Sequence, residues 1–246
     1  MAVTAAAGLL ALGAGRGAGT TWVVLAVLAG QLFVGWSNDY LDRARDRAAG
    51  RKDKPVAAGE IEPRAVGVAA FAALVAAVPL SLASGVAATI VHLVGIASAT
   101  AYNLGLKATV FSPVPYAISF GLVPAFVTLG LAESHWPPGW VMAAAALIGV
   151  GGHFAQARPD VEQDRAQQVL GLPQLVGARA SGIMAAAFLA AAAILIAVAS
   201  RNALPLVAIV PAVAVALTPP RLSFILTLAT ALLTAGAFVL IAGRSA

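Results

Sequence analysis

Nine long apolar stretches, separated by short polar or turn-forming breaks, constrain the fold of this chain more than any other feature. They lie approximately at residues 2–15, 20–38, 63–83, 86–105, 110–132, 139–157, 179–199, 202–218 and 222–243. A helix needs about 20 residues to cross the hydrocarbon core, at a rise of about 1.5 Å per residue. The first stretch is too short to cross alone, so it is either tilted into a bundle or part of a longer helix. The sequence predicts an all-α integral membrane protein with about nine transmembrane helices.

The composition excludes several other classes of protein. Apolar residues make up 61% of the 246 positions and charged residues only 10%, whereas about 25% is usual for a soluble domain. The charged surface is therefore too small to cover even one water-soluble core. The chain has no cysteine, which excludes disulfide frameworks, thiolate nucleophiles and cysteine-bound metals. The net charge is +5, but the basic residues lie in short runs between apolar stretches, as in membrane loops, so we predict no nucleic-acid partner.

The basic residues are unequally divided between the two sides of the predicted bundle. Twelve follow the second, fourth, sixth and eighth helices, and three lie on the opposite side. The larger group is Arg43, Arg45, Arg47, Arg51, Lys52, Lys54, Arg64, Lys107, Arg158, Arg165, Arg179 and Arg221, and the smaller is Arg16, Arg201 and Arg244. Because cytoplasmic loops carry the excess of Lys and Arg, the amino terminus is predicted to be cytoplasmic and the carboxyl terminus outside. We expect the chain to lie in a bacterial cytoplasmic membrane.

Nine of the ten acidic residues lie on the same predicted cytoplasmic side. They are Asp39, Asp42, Asp46, Asp53, Glu60, Glu62, Asp160, Glu162 and Asp164, whereas Glu133 lies elsewhere. Acidic residues contribute little to membrane orientation, so topology does not explain this distribution. A chemical role at this surface is the explanation that we consider next.

The first acidic cluster stands at the end of the second apolar stretch. At about 100° per residue, Asp39, Asp42 and Asp46 fall within about 60° of one another on one helical face. Carboxylates on one face repel one another unless a cation or a basic side chain neutralises them. Their oxygens suit Mg²⁺, which is usually shared with substrate phosphates. A solvated interfacial helix held by ion pairs is the alternative interpretation.

The second acidic cluster, between Asp160 and Asp164, stands at the end of the sixth helix and on the same predicted side. These two carboxylates are four positions apart and share a helical face. Both clusters follow the second helix of a four-helix group. We therefore predict one transmembrane domain over residues 1–246, with halves at about 1–108 and 109–246 whose acidic rims face each other.

Basic residues lie beside both clusters. Arg51 and Lys54 follow the first cluster, and Lys107 follows Tyr102 at the end of the fourth helix. A magnesium–diphosphate complex needs cations on the oxygens that the metal does not reach, above all as the leaving group gains charge. Considered alone, Lys107 also fits a lysine that extends to the membrane surface. His153, shortly before the second cluster, is expected to be buried and hydrogen-bonded.

The first cluster resembles a known motif. Asn38-Asp39-x-x-Asp42-x-x-x-Asp46 is similar to the first motif of the UbiA superfamily of intramembrane prenyltransferases. Two further elements of that family follow in the same order, and the resemblance extends from about residue 20 onward. The residues that resemble them are Tyr102 and Lys107 for a tyrosine–lysine element, then Asp160-x-x-x-Asp164-Arg165, Leu172-Pro173 and Gly177 for the second motif.

The resemblance implies nine helices around a central, lipid-accessible cavity that is capped on the cytoplasmic side. It also implies Mg²⁺ as the cofactor, a prenyl diphosphate as the substrate and membrane lipid around the bundle. The implied metal ligands are Asp39, Asp42, Asp46, Asp160 and Asp164. The implied catalytic residues are Asn38, Asp39, Asp42, Tyr102 and Lys107, with Asn38 supporting the metal rim or facing the acceptor. The implied diphosphate-binding residues are Lys107, Arg51, Lys54 and Arg165.

Three functions are compatible with these residues. The first is transfer of a prenyl group to an aromatic or other electron-rich acceptor. The second is a UbiA-type terpene cyclase, because the segment after the second motif departs from the family pattern at Gln168, Leu170, Gln174, Leu175 and Val176. The chain also departs from that pattern before the motif, at Gln156. The third, a transporter or a non-catalytic scaffold, is disfavoured, since the middle of every predicted helix lacks charged side chains.

Overall fold

The computed structural model describes residues 2–242, and every regular element in that range is helical. The α-helices are α1 (Ala2–Gly13), α2 (Gly19–Ala48), α3 (Pro55–Ala58), α4 (Pro63–Leu82), α5 (Val86–Leu104), α6 (Pro113–Gly121), α7 (Val123–Thr128), α8 (Gly139–Ala157), α9 (Val161–Ala166), α10 (Leu172–Val176), α11 (Ala178–Ser200), α12 (Ile209–Leu217) and α13 (Pro220–Ala242). Short 3₁₀ helices lie at Leu106–Ala108, Arg158–Asp160 and Leu204–Ala208. The predicted all-α fold class is confirmed.

Nine apolar helical segments lie within residues 2–242. The five that are long and apolar enough to cross a membrane are Gly19–Ala48, Pro63–Leu82, Val86–Leu104, Gly139–Ala166 and Ala178–Ser200. The four shorter ones are Val3–Gly13, Pro113–Thr128, Leu204–Leu217 and Ile225–Leu240. Each segment coincides with one predicted stretch, which confirms the membrane bundle. Residue 243, at the predicted end of the ninth stretch, and Arg244 lie outside the described residues.

Helix α2 is longer than its apolar stretch. The sequence predicts a helix over residues 20–38, but the structure continues it through Ala48. The apolar stretch ends at position 38, but the helix continues, because the Arg, Leu and Ala residues that follow all favour helical backbone. Asp42 and Asp46 lie on this extension with only 9% and 6% of their surface exposed. Their burial contradicts the alternative of a solvated interfacial helix.

Small side chains form much of the buried packing. One buried cluster joins α1, α2, α5 and α7 and includes Ala26 and Ala88. Another joins α8, α11 and α12 and includes Ala185 and Ala212. Small residues let helix backbones approach closely, which matters in lipid, where packing and not the hydrophobic effect holds helices together. Large apolar side chains such as Phe71, which is 65% exposed, point outward, as expected for a bundle in lipid.

The chain after α8 carries the second acidic cluster. A 3₁₀ turn and the short helix α9 hold Asp160 and Asp164. Arg158 anchors this turn, because its Nη1 donates to the carbonyl oxygens of Val215 and Thr218 at 2.9 Å each. These hydrogen bonds fix the end of α8 to the end of α12. The turn that carries the second acidic cluster is therefore held in place against α12.

Candidate functional site

Asp42 and Lys107 form a buried ion pair at the end of α2. Lys107 lies in the 3₁₀ turn after α5, and its Nζ is 2.6 Å from each carboxylate oxygen of Asp42. The same Nζ donates to Asn38 Oδ1 at 3.3 Å, and Arg45 Nη2 donates to Asp42 Oδ2 at 2.8 Å. Burial lowers the pKa of Lys107, although its hydrogen bond to Asp42 opposes that change. The structure thus brings together three predicted site residues from two helices.

Asp39 pairs with a basic residue from the loop that follows α2. Lys54 directly precedes α3, and its Nζ lies 2.5 Å from Asp39 Oδ1. Fifteen positions separate the two residues, so the loop folds back over the end of α2. Two predicted diphosphate ligands, Lys54 and Lys107, therefore each lie against a predicted metal ligand.

Arg51 lies between the end of α2 and the second acidic cluster. Its backbone N–H donates to the Asp46 carbonyl oxygen at 3.0 Å. Its Nη1 lies 3.6 Å from Asp160 Oδ2 in the second cluster, while its Nε and Nη2 donate to the two oxygens of Asp53 at 2.8 Å each. The hydrogen bonds with Asp53 raise the pKa of Arg51, and they lower the pKa of Asp53 to about 2. The two acidic helix ends, far apart in the chain, therefore face one another across a single mouth.

A hydrogen bond from α10 holds the Asp164 carboxylate in place. Gln174 is 4% exposed, and its Nε2 donates to Asp164 Oδ2 at 2.7 Å. Arg165 Nε donates to the Gln174 carbonyl oxygen at 2.5 Å, and its Nη2 donates to the Leu175 carbonyl oxygen at 3.4 Å. The structure therefore places Arg165 on the backbone of α10, so its role as a diphosphate ligand stays a prediction that requires these contacts to break.

An aromatic group surrounds Tyr102. Its ring packs edge-on against Tyr116, with centroids 5.2 Å apart, and against His153, with centroids 5.6 Å apart. His153 is 2% exposed, and its Nε2 lies 3.0 Å from Ser112 Oγ, which confirms the predicted buried, hydrogen-bonded histidine. Ser112 Oγ also accepts the backbone N–H of Leu172 at 3.0 Å. The surroundings of Tyr102 are thus tied to the start of α10.

Gly171 sets the distance between two loops of the site. A Cβ atom at this position would lie 2.4 Å from the Lys107 carbonyl oxygen and 2.7 Å from Gln174 Oε1. Only a residue without a side chain fits such a contact. The backbone of Lys107 therefore packs directly on the segment that holds Asp164.

The carboxylates of the site suit Mg²⁺ that is shared with a diphosphate. Within residues 2–242, no group of three His, Cys, Asp or Glu side chains lies close enough to hold a metal ion. Mg²⁺, however, commonly binds only one or two carboxylates, and phosphate oxygens and waters complete its octahedron. The predicted ligands are hard oxygen donors of the right kind, and the Arg51 guanidinium lies 3.6 Å from Asp160 in the second cluster. They are Asp39, Asp42 and Asp46 on α2, and Asp160 and Asp164 around α9.

A small apolar cavity of about 50 Å³ lies on the membrane side of the first cluster. It lies between α1, α2, α5, α6 and α7, and Gly30, Val34, Ile96 and Phe120 are among the residues that line it. Val34 lies one turn before Asn38 on α2, so the cavity begins directly below the ion pairs.

Sequence patterns missed three residues that support the site. Arg45 lies three positions after Asp42 on the same helical face, so helical spacing could have indicated that pair. Gln174 is marked in the sequence only as a departure from the family pattern, which does not indicate its contact with Asp164. Ser112 acts through His153, which is distant in the chain, and no local pattern marks it. Their roles become visible only in the three-dimensional structure, because the contacts join residues that are distant in the chain.

Comparisons with known proteins agree with this architecture. The profile of the UbiA prenyltransferase family matches residues 1–239. The apo structure of a UbiA homolog from Aeropyrum pernix K1 superposes with a TM-score of 0.80 at 18% identity, covering 97% of this chain and 97% of that chain. A structure of digeranylgeranylglyceryl phosphate synthase superposes with a TM-score of 0.69 at 16% identity, covering 98% of this chain and 93% of that chain. No curated protein matches the chain in sequence.

The two kinds of similarity establish different things. At identities of 18% and 16%, the solved structures show that the fold is shared and nothing finer. The family profile covers nearly the whole chain, including both acidic clusters and the turn that carries Lys107. The chain belongs to the UbiA prenyltransferase family.

Proposed function

We propose that this chain is a Mg²⁺-dependent intramembrane enzyme that ionises a prenyl diphosphate and transfers the prenyl group to an aromatic or other electron-rich acceptor. The proposal rests above all on the meeting of two acidic helix ends, through Arg51 and Asp160 at 3.6 Å, beside an apolar cavity. Membership of a prenyltransferase family supports the reaction class.

The charged residues at the mouth would bind the diphosphate. Asp39, Asp42, Asp46, Asp160 and Asp164 would hold Mg²⁺, which supplies positive charge to the leaving phosphate oxygens. The nearby cations would donate hydrogen bonds to the remaining oxygens and exchange a carboxylate partner for a phosphate one. These cations are Lys107, Arg51 and Lys54, together with Arg165 once it leaves the carbonyls of α10.

Ionisation then breaks the bond between the first prenyl carbon and the bridging oxygen, and the electron pair leaves with the diphosphate. The allylic cation stays in the apolar cavity, where water is excluded. The family resemblance is our reason to keep Tyr102 in the catalytic set, where its ring packs against Tyr116 and His153. An electron-rich acceptor carbon attacks the cation, and a base removes the leftover proton. Asn38, which accepts from Lys107, would support the rim or orient the acceptor.

The decisive experiment measures Mg²⁺-dependent diphosphate release by the purified protein. Asp39→Ala and Asp160→Ala each remove one carboxylate from one acidic end, and each should slow release at least about 100-fold, because charge stabilisation is lost at the leaving group. Glu133→Ala, an exposed acidic residue in another part of the chain, serves as the matched control and should leave release unchanged. Release that persisted in both site variants would show that these carboxylates do not carry the reaction and would overturn the proposed site. No release from the wild-type protein with any prenyl diphosphate would favour a transporter or scaffold.

A terpene cyclase is the second candidate, because one observation favours it. The segment after the second motif has no basic side chain on α10, and it uses the neutral Gln174 to hold Asp164 at 2.7 Å. In a cyclase, the cation is attacked by its own double bonds and needs no acceptor. Incubation with prenyl diphosphates and Mg²⁺ alone separates the two reactions. Formation of a hydrocarbon or a terpene alcohol without an acceptor favours the cyclase.

We also propose that the mouth of the site and the amino terminus lie on the cytoplasmic side of a bacterial cytoplasmic membrane. Arg51, Lys54 and Lys107 all lie at the mouth and belong to the larger group of basic residues. The excess of Lys and Arg in cytoplasmic loops supports this orientation. A phosphorylated substrate would then reach the site directly from the cytoplasm.

A further inference from the structure

His92 is a polar side chain in the otherwise largely apolar cavity beside the site. It lies on α5, next to Gly30 of α2, where an added Cβ would lie 3.2 Å from His92 Nε2. Gly30 precedes Asp39 by nine positions on the same helix, which corresponds to about 13 Å along the axis. The imidazole is therefore remote from the reacting carbon of a prenyl diphosphate bound at Asp39.

Ser81 fixes the tautomer of this imidazole. Its Oγ donates to the carbonyl oxygen of Ala77 at 2.6 Å and lies 2.7 Å from His92 Nδ1. A serine hydroxyl has a single proton, and a proton given to Ala77 is not available to the ring. Nδ1 therefore carries the ring proton and donates it to Ser81, which leaves a lone pair on Nε2 of the neutral ring.

Packing fixes the direction of that lone pair. Phe126, which is 1% exposed, stacks on the ring with centroids 4.6 Å apart and planes at 20°. In the described part of the chain, the ring makes one side-chain hydrogen bond, the one from Nδ1 to Ser81. Nε2 is thus held at the wall of the cavity as an acceptor whose donor must come from the molecule inside.

The nature of that donor follows from the surroundings. A pure hydrocarbon chain would leave the nitrogen unpaired, at a cost in free energy. A buried water needs two to four polar partners to be held well. Besides His92, the polar side chains that line the cavity are Gln31 and Ser119, and Ser119 Oγ already donates to the Gly95 carbonyl oxygen at 2.9 Å. A hydroxyl group attached to an apolar skeleton needs only this one acceptor, because the rest of the molecule is held by packing.

We propose that His92 Nε2 accepts a hydrogen bond from a hydroxyl group on the apolar part of the substrate, about 13 Å from its diphosphate end. The inference rests on the proposed function, because the diphosphate must lie at the acidic clusters. His92 is then a specificity-determining residue that selects a hydroxylated prenyl chain over the plain one. Sites built to pair a hydroxyl discriminate against analogues that lack it.

The test compares two ligands that do not turn over. These are the thiolodiphosphate analogue of farnesyl diphosphate and the same analogue hydroxylated at its terminal methyl group, titrated by calorimetry in detergent. The wild-type protein should bind the hydroxylated analogue about tenfold more tightly, as one added hydrogen bond permits. His92→Phe should lose that preference while it keeps the affinity for the plain analogue, which also shows that it folds. His92→Gln, which retains an acceptor, should recover part of the preference.

A spectroscopic readout separates binding from a merely structural role. In protein labelled with ¹⁵N-histidine, the His92 Nε2 resonance should be that of an unprotonated nitrogen and should move only with the hydroxylated analogue. Equal affinity of the wild-type protein for the two analogues, or a preference that survives in His92→Phe, would overturn the inference alone. Failure of both analogues to bind would overturn the proposed function as well.

Discussion

Lys54 and Lys107 both pair with a carboxylate of α2, but they differ in burial. The side chain of Lys107 is 11% exposed, as is that of its partner Asp42, whereas Lys54 is 28% exposed and Asp39 is 25% exposed. Burial removes hydration from a charge, so a buried cation depends more on its protein partners. Lys107 therefore depends more on its partner Asp42 than the more exposed Lys54 depends on Asp39.

The first prediction concerns the alkaline limit of activity. Because burial lowers the pKa of Lys107, its Nζ loses the proton, and the attraction for phosphate, at a lower pH than an exposed lysine would. Lys107→Arg should move the alkaline fall in diphosphate release to higher pH, since arginine keeps its charge throughout. The measurement is the initial rate against pH for both proteins. If the activity of the two proteins fell at the same alkaline pH, Lys107 would not set the alkaline limit of activity.

The second prediction removes the cation entirely. Lys107→Ala should slow diphosphate release at least about 100-fold, but it should lower the melting temperature only slightly, because Arg45 still pairs with Asp42 at 2.8 Å. Lys52→Ala removes an exposed lysine near the same mouth and should change neither quantity. Thermal unfolding in detergent checks stability, and a large loss of stability in Lys107→Ala would point to a structural role.

The sequence predicts individual elements better than the contacts between them. The length of each apolar stretch predicts a membrane-spanning helix, because such a helix must match the thickness of the bilayer. The spacing of Asp39, Asp42 and Asp46 predicts that they share one helical face. The end of α2 is not predicted, since a polar helix and a polar loop have similar hydropathy. The contact of Gly171 with the Lys107 carbonyl oxygen also leaves no local pattern, because the partner is remote in the chain.

The third prediction tests that contact. Gly171→Ala should destabilise the protein by about 1–3 kcal/mol, because its Cβ would overlap the Lys107 carbonyl oxygen and displace the turn. Diphosphate release should fall as well, since the same turn positions Lys107. Gly152→Ala on α8 is the matched control: a Cβ there meets nothing within 4 Å, and alanine favours a helix over glycine. Equal melting temperatures for the two variants would refute the proposed close packing.

The first and last described helices of the bundle touch. A Cβ at Gly13 of α1 would lie 2.6 Å from a Val239 side-chain carbon of α13, so the short first helix is packed against the bundle. Hydropathy predicts how many helices there are, but not which of them are neighbours, because lipid-facing and buried apolar residues look alike in a sequence. The division into halves at 1–108 and 109–246 accordingly stays a prediction.

The fourth prediction concerns orientation and uses the absence of cysteine from the chain. Lys52→Cys should react with a membrane-impermeant maleimide in inverted vesicles but not in intact cells, because its loop belongs to the basic side. Glu133→Cys should show the opposite pattern, and the cysteine-free parent should remain unlabelled. Labelling of both variants from the same side would overturn the proposed topology.

The link between Arg51 and Asp160 also bears on how a reaction cycle could end. Both side chains are partly exposed, at 25% and 41%, so dissolved ions weaken the link and an arriving anion can take over the guanidinium. While that anion stays, it becomes the bridge between the two helix ends. If the proposed reaction takes place, Asp160 would pair with Arg51 again as the diphosphate product leaves, and this carboxylate would compete with the product for the guanidinium.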